Sequence, residues 1–170
     1  MTDEPPFTLV EPQKARAAAQ RLFEAVKGAL SEVLPTADIR HIGSTAIPGC
    51  LTKGDLDIAV RVPVDAFPAA DAALAKMYVR NEGSIRTATF SAFEDGASDP
   101  HLGIQLAAID GPSDFFHLFV DALLSDPELV EEYNELKRAH AGQAMAAYRA
   151  AKDEFIESVL AQRRATKSGD

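Results

Sequence analysis

Two carboxylates, Asp55 and Asp57, stand one residue apart in the stretch "GDLDIAV". Upstream of them, with ten residues between, "HIGSTAIPG" carries the pair Gly43-Ser44. Side chains alternate along a strand, so Asp55 and Asp57 point to one side, about 7 Å apart. Two ionised carboxylates that close repel, and burying either one unpaired is expensive. A divalent cation removes the conflict. Mg²⁺ in particular takes one or two carboxylates and completes its shell with substrate phosphates. Gly43 lets the backbone approach such phosphates, and Ser44 and Thr45 offer hydroxyl and N–H donors to them. Lys53 adds a cation for a phosphate or for the acidic pair itself. The residue types and their spacing therefore point to chemistry on a Mg-bound phosphate-bearing substrate.

These groups need a frame. In the strand 55–62, Leu56, Ile58, Val60 and Val62 form the face to be buried, while Asp55, Asp57, Ala59 and Arg61 share the other. Arg61 is there placed to pair with Asp57. Before the strand, Leu22, Phe23, Val26, Ala29, Leu30 and Val33 recur at helical spacing over Pro12–Val33, and Pro35 ends that helix. A short strand through Ile39 and Ile42 leads into the loop Gly43–Gly54, turned by Pro48-Gly49. After the strand, Phe67, Ala70, Leu74 and Met77 mark a helix over Val64–Val79, with Pro68 in its first turn. Ile85–Phe93 reads as a strand, "EDGASDP" as a polar loop and His101–Ile109 as an alternating strand. Gly111-Pro112 breaks the chain, and Ser113 is placed to cap a short helix. Asp126-Pro127 opens a helix running to His140, by a capping carboxylate and a proline at the first position. Gly142 separates it from a last helix over Ala144–Arg163. The expected class is α+β: a small mixed sheet flanked by helices, with a helical C-terminal third. One domain spans 1–170, with 1–11 and 164–170 flexible.

Bulk properties narrow the partners. A length of 170 residues favours one core. The net charge of -9 argues against bulk binding of nucleic acid or attraction to an anionic membrane. No apolar run approaches a membrane span. Cys50 is the one cysteine, so no internal disulfide forms, and the four histidines lack metal-ligand spacing. The opening "MTDEPPF" is acidic and unlike a secretion signal. These features suit a cytoplasmic protein.

Apolar-Gly-Ser, a gap, then Asp-apolar-Asp-apolar resembles the nucleotidyltransferase superfamily of polymerase-beta-like fold. "HIGSTAIPG", Lys53 and "DIAV", with the later "EEYNELKRAHAG" and "YRAAKDEFI", resemble the GrpB (UPF0157) family from about Leu30 to Leu160. Many of its members carry an aliphatic residue at the Asp55 position, and a "KGDLD" subgroup, which this chain resembles, has the full Asp-x-Asp. The resemblance implies the fold, Mg²⁺ held by Asp55 and Asp57, and a nucleoside triphosphate gripped by Gly43, Ser44, Thr45, Lys53 and Lys152. It implies nucleotidyl transfer to a small-molecule acceptor. The superfamily also implies a third carboxylate on a later strand, where this sequence offers Gln105, with His101 as a second candidate. An amide cannot serve as a carboxylate base, so the alternative is a non-catalytic nucleotide-binding or regulatory module.

Overall fold

The computed structural model describes residues 6–168. Pro12 opens helix α1 (Pro12–Val33), and the Glu11 carboxylate caps it by accepting from the backbone N–H groups of Gln13 and Lys14 at 2.8 and 2.9 Å. The buried stripe Ala15, Ala19, Phe23, Val26 and Leu30 recurs every three or four residues and faces the sheet.

Five strands make that sheet: β1 (Asp38–Ile42), β2 (Leu56–Val62), β3 (Val79–Arg80), β4 (Phe90–Asp95) and β5 (Leu102–Ala108), in the order β1-β2-β5-β4-β3. β2 and β5 run parallel and the other neighbours antiparallel. Helix α2 (Phe67–Met77) follows β2, with Pro68 in its first turn. One sheet face packs Leu56, Ile58, Val60, Ile104 and Leu106 against α1 and α2. Leu56, Ile58 and Val60 have no exposed area, and each buried side chain of this size contributes roughly 1.5–3 kcal/mol. A one-residue slip would drive Asp55 and Asp57 into that core, so the apolar face fixes the register of the carboxylate face. The other face meets α3 (Phe116–Ser125), α4 (Pro127–His140) and α5 (Met145–Ser168) through a second core including Ile42, Ala59, Phe119, Tyr133 and Ile156.

The α+β class and the mixed sheet agree with the sequence reading; several local expectations change. The strand expected over 85–93 lies at Phe90–Asp95, because antiparallel pairing from Phe90↔Ala107 to Asp95↔Leu102 sets its register. Residues 81–89 turn instead, and Ile85 is left exposed. Glu94 and Asp95 thus belong to the sheet rather than to a loop. The helix expected over 64–79 is a 3₁₀ turn (Val64–Ala66) and then α2, while Val79 enters the edge strand β3. Ser113 caps nothing: α3 starts at Phe116 without a side-chain cap. Asp126 does cap α4, accepting from the N–H of Glu128 at 3.0 Å. The arm before α1 is anchored at Phe7 and Val10. Phe7 is 1% exposed, and its ring stacks on Tyr148 with centroids 4.0 Å apart. Its N–H donates to Gln143 O and its carbonyl accepts from Gly142 N, while Val10 bridges to Thr52. Helix α5 continues to Ser168, past the Arg163 end expected; residues 1–5 and 169–170 lie outside the described residues. Among the described residues, no helix is long and apolar enough to cross a membrane.

Candidate functional site

Asp57 lies in β2 opposite Gly103 of β5, and Gly103 lies opposite Glu94 of β4. Directly opposed residues share a sheet face. Asp57, Glu94 and Gln105, whose own neighbours are Ala59 and Ala92, therefore all face the C-terminal helices. Two glycines make room for the Asp57 carboxylate. A Cβ on Gly103 would stand 2.9 Å from Asp57 Oδ1, and one on Gly43 would stand 2.6 Å from Oδ2. Gly43 also has φ +75°, a conformation that favours glycine. The turn Gly43-Ser44 is thereby pressed against a carboxylate that it precedes by more than ten residues in sequence.

Asp55 immediately precedes β2. Thr45 is 1% exposed and donates from Oγ1 to the Asp55 carbonyl at 3.0 Å, and the same Oγ1 lies 2.9 Å from His41 Nε2. The Thr45 hydroxyl is thus used inward, to fix Asp55. Burial pushes the His41 imidazole down to about 4, the nearby Arg16 adding to it, so His41 is a neutral hydrogen-bonding group.

A cleft of about 840 Å³ opens over these residues, lined by Lys53, Asp55, Asp57, His101, Gln105 and Lys152. Pro6, Phe7 and Thr8 of the arm, Met145, Tyr148 and Arg149 of α5, and Asn81, Gly83 and Glu94 also line it. A pocket of about 40 Å³ beside it brings Ser44 and Lys137 next to Asp55, Asp57 and Lys152. The structure therefore gathers Lys53, Asp55, Asp57, His101, Gln105 and Lys152 around one cleft, sets Ser44 in the adjoining pocket and Gly43 against Asp57, and turns Thr45 inward.

The charges are arranged unevenly. Lys53 Nζ lies 2.9 Å from Asp55 Oδ2. His101 stands between two acids, Nδ1 4.0 Å from Asp55 Oδ2 and Nε2 3.6 Å from Glu94 Oε2. Burial pushes the Asp57 carboxyl up, the Lys152 ammonium opposes this, and the Asp55 charge adds to it. Arg61 does not pair with Asp57. Its guanidinium donates to Asp114 at 2.6 and 2.8 Å and to Asp38 at 2.7 Å, further along the strand. The Oε1 atom of Gln105 is buried without a hydrogen-bond partner, a state polar atoms rarely hold unless a ligand or function explains it.

Two residues that the sequence reading leaves outside the site, Glu94 as a loop carboxylate and Lys137 as a basic residue of the C-terminal helices, belong to it. Glu94 is a third carboxylate on the cleft face, two strands from Asp57 and so about 10 Å away across the sheet. The alternation Phe90, Ala92, Glu94 carried that signal once β4 was in register. Lys137 of α4 is 1% exposed and donates to Ser44 Oγ and to Leu51 O. Its Nζ also lies 3.6 Å from Cys50 Sγ and 4.2 Å from the centre of the Tyr133 ring. Burial pushes it down to about 7, the Cys50 thiol working the other way.

The residues fit Mg²⁺ in the limited sense that ion requires. Asp57 is a carboxylate whose ionised form is disfavoured by its surroundings, which a cation relieves, and Asp55 flanks it. Among the described residues no three histidine, cysteine or acidic side chains group as a cation cage, so two carboxylates plus phosphate oxygens is the donor set on offer.

Comparison with known proteins bears on this geometry. The family model described as GrpB protein matches residues 8–162. A UPF0157 protein of Vibrio cholerae is 34% identical over 148 residues, 86% of this chain and 78% of that protein. The crystal structure of the conserved protein GrpB from Enterococcus faecalis superposes with a TM-score of 0.67 at 18% identity, over 92% of this chain and 98% of that one. The Cid1 RNA terminal uridylyl transferase superposes with a TM-score of 0.52 at 11% identity, over 75% of this chain and 40% of Cid1. The fold is thus of the nucleotidyltransferase type, and the chain spans well under half of Cid1. With the family match running from the anchored arm into α5, the chain belongs to the GrpB protein family.

Proposed function

We propose that this protein binds a Mg-nucleoside triphosphate in the cleft and transfers its nucleotidyl group to the hydroxyl of a small-molecule acceptor. The observation that carries the reading is Asp57, a half-buried carboxylate wedged against the Gly43-Ser44 turn with Asp55, Lys53 and Lys152 around it. Mg²⁺ bound there would neutralise the carboxylates and polarise the phosphate. Ser44 Oγ and the N–H groups of Ser44 and Thr45 would receive phosphate oxygens, those of Ala46 and Ile47 being used within the turn, and Lys53 and Lys152 would balance the charge. The acceptor oxygen forms a bond to the α-phosphorus while the bond from that phosphorus to the bridging oxygen breaks, pyrophosphate leaves, and the acceptor proton passes to a phosphate oxygen of the nucleotide or to His101 of the cleft. Gln105 holds no proton-accepting carboxylate, so turnover on an unactivated hydroxyl is slow.

Gln105 also favours a second reading, in which the same cleft binds the nucleotide without turnover and serves as a regulatory module. A thermal melt of the full chain with nucleoside triphosphates, with and without Mg²⁺, tests what both readings share. A ligand that binds only the folded state raises the melting temperature. No shift with any Mg-nucleotide would overturn both. The reaction distinguishes them, by label transfer from an α-labelled nucleotide.

A further inference from the structure

Helix α4 presents three buried side chains in a row, Tyr133, Asn134 and Lys137, at 2%, 5% and 1% exposure. A lysine this deep is unusual, because taking an ammonium out of water is costly. An aliphatic side chain of the same length would hold α4 against the second core without that penalty. The ammonium instead meets three acceptors for its three N–H groups, Ser44 Oγ, Leu51 O and Cys50 Sγ, with the Tyr133 ring as a fourth favourable neighbour. Three residues earlier, Asn134 binds the same loop by both ends of its amide. Its Nδ2 donates to Gly49 O at 3.0 Å, and its Oδ1 accepts from Leu51 N at 2.7 Å. One helix face thus ties the loop at Ser44, where it meets Asp57, and again at Gly49 and Leu51, just before Asp55.

We propose that Lys137, assisted by Asn134, is a positioning residue that sets the phosphate-binding geometry of the Gly43-Ser44 turn through Ser44 itself. The proposal rests on the nucleotide reading above. A serine oxygen that accepts from an ammonium keeps its one hydrogen for another partner, and the adjoining pocket brings Ser44 beside Lys152 and Asp57. Lys137 does not need to touch the nucleotide for this, and its nearest contacts are all on the loop and on Tyr133. The motif "EEYNELK" then has a physical reason: it is the counterpart in the chain of "HIGSTAIPGCL", and one holds the other in shape.

The test uses the full chain, with Lys137→Met, which keeps the stem and removes the donors, and Ser44→Ala. Affinity for MgATP is measured by calorimetry in the parent, both single variants and the double variant. Amide exchange over 43–51 is followed without ligand. Action through Ser44 predicts that Lys137→Met weakens binding about 10-fold in the parent but under about 3-fold in the Ser44→Ala background, as coupled contacts do. Amides of 43–51 should exchange faster in Lys137→Met while those of α5 keep their protection, with a melting temperature equal to or above the parent's. A purely structural lysine gives the opposite pattern: a lower melting temperature, protection lost throughout, and effects that multiply. Either multiplying effects or an unchanged loop overturns the proposal. If the parent binds no Mg-nucleotide, the nucleotide reading fails first, and the loop exchange alone then supports or overturns the clamp. Should Lys137→Met fail to fold, Asn134→Ala, which cuts the other tie, is scored on the same loop amides and the same cycle with Ser44→Ala.

Discussion

The Asp57 carboxylate occupies the volume that any side chain at Gly43 would need, with Oδ2 only 2.6 Å from where that Cβ would stand. The turn and the acid are therefore a single fitted unit, and a change in one displaces the other. Gly43→Ala must either move Asp57 or unwind the turn, and it also forces alanine to φ +75°. With ψ at -174° this is a backbone region almost confined to glycine, and placing alanine there costs roughly 1–3 kcal/mol. The expected outcome is a folded protein with a lower melting temperature and no melting shift with MgATP. Gly103→Ala, on a strand without a positive φ, tests the same fit from the other side, and its Cβ would meet Oδ1 at 2.9 Å. A normal nucleotide shift in both variants would show that the position of Asp57 is immaterial.

Burial raises the folded pKa of Asp57 above its ordinary value of 3.8, and Arg61 is committed elsewhere. The ionised side chain then opposes folding. That penalty is absent below the ordinary pKa and grows as pH rises through the interval up to the raised one. Asp57→Asn should therefore melt above the parent at neutral pH in EDTA, and the difference should vanish toward pH 3.8. With MgATP present the order reverses, because only the parent gains from ligand. Destabilisation of the variant in EDTA at neutral pH would mean that Lys152 and Lys53 already neutralise Asp57 in full.

Lys137 supplies a second pH signature with the other sign of charge. Its folded pKa, near 7, lies below its ordinary 10.5. The cost of keeping it charged is present in full below pH 7 and fades as pH rises toward 10.5. Between those values the unfolded chain binds more protons, so the parent gains stability relative to Lys137→Met as pH increases. Each pKa unit corresponds to about 1.4 kcal/mol, so the change across the interval amounts to a few kcal/mol at most. Denaturant melts of both proteins across that range measure it; a difference independent of pH would place the Lys137 pKa near its ordinary value.

The arm is a wall of the cleft as well as a cover for α5. Removing a buried phenyl ring costs about 3–5 kcal/mol, and Phe7→Ala also removes part of the cleft lining. Both stability and MgATP affinity should fall, whereas Leu9→Ala, on a partly buried neighbour, should lower stability with a smaller effect on affinity. Equal loss of affinity in both would assign the effect to general loosening.

What the sequence disclosed depended on whether the signal was local. The start of α1, the Asp126 cap and the Asp-x-Asp alternation are each written within a few residues, and each was legible. The register of β4 was not, because it is set by pairing with β5, and Glu94 was hidden with it. Lys137 was hidden for a sharper reason. On an amphipathic helix a lysine reads as solvated, and the partners that make its burial tolerable lie 93 and 86 positions away. Arg61 was placed on the right face, but its carboxylates come from β1 and from the segment before α3 rather than from its own strand. Thr45 sat in the right motif, yet its hydroxyl is used to hold Asp55 rather than to face the cleft.

The chemistry itself has a graded test. If nucleotidyl transfer occurs, the acceptor hydroxyl must lose its proton beside Gln105, whose amide cannot take it. The parent should therefore transfer label from an α-labelled nucleoside triphosphate slowly, in Mg²⁺ and with a metabolite extract as acceptor source. General-base assistance is worth about 10² to 10⁴-fold. Gln105→Glu puts a carboxylate on the same face as Asp57, where Gln105 already lines the cleft, and should raise the rate within that span. Asp57→Ala should abolish transfer in both backgrounds. Transfer that survives Asp57→Ala or EDTA would rule the mechanism out. Binding in the parent, with no transfer in it or in Gln105→Glu, would assign the cleft to the regulatory reading, since the one missing catalytic group would have been supplied without effect.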